Sequence, residues 1–158
     1  MELSHIDNTG KARMVDVSNK PATERTAVAK GKVILNKQAF LSVKNNTVEK
    51  GDVLAVAKIG AIQAAKRTSE LVPLCHNIPI AFLDVTFQFL DIENSIEITS
   101  IAKTNAGTGI EMEAITAVTV AGIIIYDMCK SIDRSIRITD VHLLKKTGGK
   151  SGDFYNEQ

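Results

Sequence analysis

The chain has 158 residues, of which 44% are hydrophobic, 23% charged and only 4% aromatic, and its formal net charge is +1. That length suits a single domain with a real core, and the composition lies well away from that of disordered chains. A nearly neutral total excludes a strong overall field toward nucleic acid or membrane, so any anion site has to be built from locally clustered Lys and Arg.

Residues 1–22 are polar and aperiodic and hold Gly10 and Pro21, which predicts a mobile or loosely docked arm without the apolar core of a secretory signal. "RTAVAKGKVIL" (25–35) predicts a first strand. Asn36 can cap a short helix through about Val43. Lys50-Gly51-Asp52 breaks that pattern, and Asp52 is a fitting N-cap for a helix over 53–71, which Pro73 ends. After a loop at 72–79, "AFLDVTFQFL" (81–90) alternates, with Ala81, Leu83, Val85, Phe87 and Phe89 on one face. "DIEN" makes a turn and 95–104 the partner strand of a hairpin. A helix over about 110–131, a strand over 134–146 and a Gly-rich basic tail over 147–158 complete the chain.

The order is strand, helix, helix, strand, strand, helix, strand. Removing one helix leaves the split β-α-β pattern of a ferredoxin-like fold. The expectation is one α+β domain over 1–158, with a four-stranded antiparallel sheet, helices packed on one face and one added helix. The longest apolar run, "AITAVTVAGIIIY", reads as too short to span a bilayer. Two cysteines, Cys75 and Cys129, make no disulfide framework and point to a reduced, cytoplasmic chain.

Five stretches carry candidate chemistry. In "ELVPLCHNIPI", Cys75 and His76 occupy a loop, either as a buried thiol beside a hydrogen-bonded imidazole or as the lining of a polar pocket with His76 as donor or acid/base. With histidines only at 5, 76 and 142, the chain does not assemble a metal ligand set. Lys66 and Arg67 fall near a helix C-terminus, where they complement the macrodipole or contact phosphate. "KKTGGKSGD" fails as a P-loop because Leu144 stands where the first glycine belongs. Lys146 or Lys150 and nearby backbone N–H groups could still fold over an anion. In "TNAGTGIEMEA", Gly107 and Gly109 precede a first helical turn that holds Glu111 and Glu113. Acids there complement the helix dipole, but two residues apart they point about 200° from each other, so at least one faces inward or toward a partner. Finally, Asp127 and Lys130 are i, i+3 neighbours. They form either a surface ion pair or, because "AGIIIYDMC" is so apolar, a partly desolvated pair suited to acid/base work.

Together "MVDVS", "KGDVLAVAKIGAIQAAKRTSELVPLCH", "TGIEMEAITAVTVAGIIIYDMCK" and "LLKKTGGKSGDF" resemble the molybdenum cofactor biosynthesis protein C family over about residues 4–154. The resemblance implies a ferredoxin-like fold with added helices. It also implies a cyclic pyranopterin monophosphate synthase that acts on a cyclised dihydro-GTP made by a radical GTP cyclase, with release of pyrophosphate. By resemblance, Asp127 is the catalytic acid/base and Lys50 and Lys130 serve catalysis or the substrate phosphates. Leu74, Cys75, His76, Met112 and Glu113 match the substrate-binding segments, partly through backbone groups. Glu111, Lys66, Arg67, Lys146 and Lys150 are the weaker additions from the residues themselves. The resemblance further implies a homohexamer built as a trimer of dimers. The expected active sites lie at the dimer interface, with no resident metal or redox cofactor, and Mg²⁺ accompanying the triphosphate stays open. Neither nucleic acid nor membrane is expected as a partner. Two other readings stay open, a nucleotide-sensing domain and an RNA-binding ferredoxin-like module. For the latter, Phe87 and Phe89 share a face but lack a surrounding basic-aromatic motif.

Overall fold

The computed structural model describes residues 6–7, 9–149 and 152–156. In chain order the elements are β1 (Thr23–Ile34), α1 (Lys37–Lys44), α2 (Val53–Ala65), α3 (Thr68–Leu71), β2 (Phe82–Leu90), β3 (Ser95–Ala106), α4 (Glu111–Cys129), β4 (Arg137–Thr147) and β5 (Phe154–Tyr155). The strands form one antiparallel sheet in the order β2-β3-β1-β4-β5. This is the α+β, ferredoxin-like arrangement expected from the sequence, with one strand added at the edge.

Period-two burial turns one face of the sheet toward α2 and α4. Ala27, Ala29 and Val33 of β1, and Ile96, Ile98 and Ala102 of β3, are wholly buried on that face. Polar residues such as Lys30, Lys32 and Glu97 occupy the opposite face, where Lys30 pairs with Glu97 at 2.9 Å. The side chains of Asn36 and Asp52 cap α1 and α2, accepting from the N–H groups of Ala39 and Ala55 at 2.8 Å and 2.9 Å.

Two features depart from the sequence-based expectations. The helix expected over 53–71 divides at Ala65. Buried Thr68 donates its hydroxyl to the Ala65 carbonyl at 2.9 Å, and Arg67 leaves helical geometry at φ −110°, ψ 13°. A β-branched residue that bonds the helix's terminal carbonyls in this way competes with continuation of the helix. The sheet has a fifth strand because the tail turns back on β4: Phe154 and Tyr155 pair with Lys146 and Lys145. Gly148, Gly149 and Gly152, with φ of 87°, 90° and 71°, permit that reversal. Of the two forms expected for the arm, the described residues show the docked one at Val15, whose carbonyl lies 2.8 Å from His76 Nε2.

Helix α4, which contains the apolar run "AITAVTVAGIIIY", is at 19 residues long and apolar enough to cross a membrane by length and composition alone. Its packing is that of a core helix. Ala114, Ala117, Val118, Ala121 and Ile125 are fully buried. Small residues let it approach the sheet closely: a Cβ on Gly31 would meet Val118 at 2.6 Å and Val141 at 3.1 Å, and one on Gly122 would meet Ile138 at 3.0 Å.

Two glycine substitutions should therefore behave differently. Gly31→Ala is expected to cost about 1–3 kcal/mol, because added volume in a packed core forces backbone and rotamer shifts. Combining it with Val118→Ala should cost less than the two single losses together. In Gly60→Ala the new Cβ meets only the tip of Ile124, which can rotate away, and alanine gains about 1 kcal/mol of helix propensity over glycine. That variant should be neutral or mildly stabilised. Urea unfolding midpoints for these four variants and the unmutated chain check both statements.

Candidate active site

The register places Thr23 opposite Ala106 and Thr26 opposite Thr147, so the start of β1 lies beside the ends of β3 and β4. Helix α4 begins at the same edge. A cleft of about 760 Å³ opens there, lined by Lys20, Arg25, His76, Glu111, Lys146 and the 107–110 segment, among others. The Arg25 guanidinium is anchored, donating from Nε to the Ala106 carbonyl at 3.2 Å and from Nη2 to the Gly107 carbonyl at 3.4 Å. His76 donates Nε2–H to the Val15 carbonyl, which leaves Nδ1 as the acceptor in the neutral ring. Lys146 holds Glu111 at 3.0 Å. No side chain caps α4, whose N-cap residue is Ile110. The start of α4 and three flexible or planar cations, Lys20, Arg25 and Lys146, line one cleft. That is the chemistry of a phosphate-bearing ligand.

Glu113 lies one helical step away and is 95% buried, being only 5% exposed. Desolvation, helped by the Glu111 charge, pushes its carboxyl above the ordinary glutamate value. Burial, and after it the Glu113 charge, likewise push the half-buried Cys75 thiol up, so Cys75 is no ready thiolate. As expected, one of the two first-turn acids faces inward, while the other pairs with a lysine.

A second constellation stands at the opposite end of α4. Lys130 Nζ donates to Asp127 Oδ1 at 2.6 Å. Lys50 Nζ reaches the Asp127 backbone carbonyl at 2.7 Å and Oδ2 at 3.3 Å. The turn after α1 delivers Lys50: Gly51 donates its N–H to the Val48 carbonyl at 2.9 Å and takes φ 101°. Hydrogen bonds from Lys130, then from Lys50, hold the Asp127 carboxyl below its usual value, and Asp127 pushes the Lys130 ammonium up. The expectation of partial desolvation is corrected for the single chain, where the Asp127 side chain is 57% exposed. The reason is position: the pair sits beyond the sheet, where Val56, Ile123, Ile124 and Met128 form only an open apolar hollow beside it.

The structure thus gathers the sequence candidates into two groups. His76, Glu111 and Lys146 line the cleft, with Cys75 and Glu113 behind it; Lys50, Asp127 and Lys130 form the cluster. Leu74 is half-buried beside Cys75, and Met112 is exposed on the first turn of α4. Lys66 and Arg67 are exposed at the α2–α3 junction and line neither hollow. Lys150 lies outside the described residues. Sequence reasoning missed Lys20 and Arg25. Arg25 was absorbed into an alternating strand, and only the pairing register reveals that it ends beside Gly107. Among the described residues, no three His, Cys, Asp or Glu side chains gather as a metal site would require.

A ferredoxin-like domain with a cationic, helix-capped cleft and an Asp–Lys cluster has the makings of an enzyme acting on a phosphorylated small molecule. A family model described as the MoaC family matches residues 14–149, and the chain belongs to that family. A cyclic pyranopterin monophosphate synthase of Clostridium acetobutylicum is 55% identical over 96% of this chain and 94% of its own length. Proteins of the same name from Clostridium botulinum and Peptoclostridium acidaminophilum are 51% and 49% identical, each over 99% of this chain and 98% and 99% of their own.

The Glu113 geometry yields a stability test. Its folded-state value is raised above the unfolded one, so between the two the native chain binds more protons and stability falls as pH rises. Glu113→Gln removes the cost of a buried carboxylate. It should raise Tm at neutral pH, and the gain should disappear as pH drops below about 4, where the unfolded glutamate is itself protonated. Melting curves across that range check the sign.

Proposed function

We propose that the chain carries out the cyclic pyranopterin monophosphate synthase reaction of molybdenum cofactor biosynthesis, in the cytoplasm. A cyclised dihydro-GTP, supplied by a radical GTP cyclase, becomes cyclic pyranopterin monophosphate with loss of pyrophosphate. The observation that carries this reading is the pairing of a phosphate-type cleft with an Asp–Lys acid/base cluster on a chain similar over its full length to synthases of that name. No relative above is named as a sensor or an RNA-binding module, so those alternatives are not favoured.

The reaction needs C–N and C–O bonds to open and reclose, which is proton-transfer chemistry. Asp127, held low, is ionised at neutral pH, and Lys130, held high, is protonated. In this reading Asp127 accepts and Lys130 donates the proton, the two groups standing 2.6 Å apart. Lys50 supplies a second ammonium. In the cleft, Arg25, Lys146 and the α4 N–H groups take the triphosphate and stabilise the departing pyrophosphate. Lys66 and Arg67, which line neither hollow, contribute no contact within one chain. Leu74 to His76 and Met112 to Glu113 hold the remainder of the substrate. No resident metal or redox cofactor is required; Mg²⁺ that arrives with the triphosphate would share its charge.

The two groups lie at opposite ends of a helix, with Glu113 and Asp127 separated by about 21 Å at about 1.5 Å per residue. We infer a site completed by a second copy, in which a two-fold axis brings one chain's cleft to its partner's cluster. Val56, Ile59 and Ile123, 47%, 60% and 51% exposed near that cluster, supply an apolar surface for such a contact. Three such dimers make the expected hexamer.

Asp127→Asn should fold and lose about 10²–10⁴-fold in turnover of purified substrate, the span of acid/base catalysis. Retained turnover would remove Asp127 from the mechanism. Mixing inactive Glu113→Ala and Asp127→Ala chains by co-refolding should restore roughly a quarter of the unmutated activity, since about half of random dimers are hybrids with one intact site. Inactive hybrids would overturn the shared site.

A further inference from the structure

Asp133, just beyond α4, is a buried carboxylate outside both groups described above. It is 4% exposed, yet it is fully engaged as an acceptor. Its Oδ1 accepts from the Ser135 N–H at 2.8 Å and from the Ser135 hydroxyl at 2.6 Å, and its Oδ2 accepts from the Asn36 N–H at 2.7 Å. Burial works against the charge, but the Ser135 and Asn36 hydrogen bonds outweigh it and hold the carboxyl below its usual value. A buried charge held by three donors is costly to assemble and costly to break.

What it joins is specific. On one side is the turn that ends α4: Ile132 and Asp133 both donate their N–H groups to the Cys129 carbonyl, and Lys130 is the C-cap. On the other side is Asn36, the N-cap of α1. From Asn36 the chain leads to Lys50 through α1 and two hydrogen-bonded turns. It runs along α1, through the bonds from Asn45 to Leu41 and from Thr47 to Ser42, past buried Val48 to the Val48–Gly51 turn. Lys130 thus hangs from one end of the Asp133 clamp and Lys50 from the other, and the two ammonium groups meet on Asp127.

We propose that Asp133 is a positioning residue for the reaction: it clamps the start of α1 to the end of α4 and so fixes how Lys50 and Lys130 converge on Asp127. The catalytic part of this statement rests on the function proposed above; the geometric part does not. The lysine side chains are long and 44% and 51% exposed, so apart from their bonds to Asp127 it is their backbone anchors that set where they start from. Misplacement of a catalytic group by about 1 Å can cost about a hundredfold in rate.

The test uses Asp133→Asn, which keeps the shape but presents an amide N–H to the donors, and Ser135→Ala, which removes one hydrogen bond and leaves the clamp's charge in place. Two readouts apply to the full-length oligomer. The first is the titration midpoint of the Asp127 carboxyl by ¹³C NMR; the titratable groups facing it are Lys130 of its own helix and Lys50 of the α1–α2 loop. The second is kcat per active site, with sites counted by pyrophosphate binding, and KM. The midpoint should rise toward the ordinary aspartate value in Asp133→Asn and less in Ser135→Ala. The kcat should fall about ten- to a hundredfold and about threefold, respectively, with KM little changed because the cleft lies at the other end of α4. A role confined to stability would lower Tm and the number of binding sites while leaving the Asp127 midpoint and per-site kcat unmoved, and that result overturns the proposal. A shifted midpoint with unchanged per-site kcat would support the clamp and instead overturn Asp127 as the acid/base. If Asp133→Asn does not fold, Ser135→Ala decides by the same criteria.

Discussion

Everything functional in this chain depends on how closely α4 lies against the sheet. The contact is made of small groups. Ala114, Ala117 and Ala121 are wholly buried, Gly31 leaves room for Val118 and Gly122 leaves room for Ile138. Close approach multiplies weak dispersion contacts and leaves little freedom to slide or roll. A hydrogen bond from the buried Ser100 hydroxyl to the Ala114 carbonyl, at 2.7 Å, ties the helix to β3 at one level. With the axis held there, both helix ends have fixed places: one at the sheet edge where β1 begins, the other beside the loop that carries Lys50.

The two ends are electrostatic opposites, and each is answered in kind. At the N-terminus, Glu111 and Glu113 face the positive end of the helix dipole while cations approach from β1 and β4. At the C-terminus, Lys50 bonds the Asp127 carbonyl, one of the last free acceptors of the helix, and Lys130 is the C-cap. At each end, one carboxylate offsets part of the positive charge, Glu111 at Lys146 and Asp127 at Lys50 and Lys130. A phosphate entering the cleft has to compete with Glu111 for Lys146, while the Asp127 pair keeps its charge state without any ligand.

Much of this was legible because it depends on local periodicity. The alternation of Leu83, Val85, Phe87 and Phe89, the Asn36 and Asp52 caps and the angular spread of Glu111 and Glu113 all follow from one-dimensional patterns. So did the Asp127–Lys130 pair, an i, i+3 spacing. What escaped depends on pairing between distant segments. Arg25 reaches the cleft only because Thr23 faces Ala106. The break at Thr68 reflects a hydroxyl that prefers the Ala65 carbonyl, and helical spacing continues straight through it. Phe154 and Tyr155 become a strand because β4 offers an open edge, which composition alone would not show. Asp133 carried no signal at all in a window of "SIDRS", since its donors come from Asn36 as well as from Ser135.

The closeness of α4 to the sheet also makes it a ruler and a protractor at once. Its length sets the span between the two constellations, and its winding sets their relative azimuth. Adding or removing one residue between Ala114 and Tyr126 would turn everything downstream by about 100° and shift it by about 1.5 Å. Asp127 would then leave Lys50 even though every side chain remained present. Insertions are tolerable in the 45–52 turn or the 148–153 loop only where Lys50 and Lys146 can still reach, but within α4 no loop exists to absorb them. The chain can drift in sequence along this helix far more easily than it can drift in length.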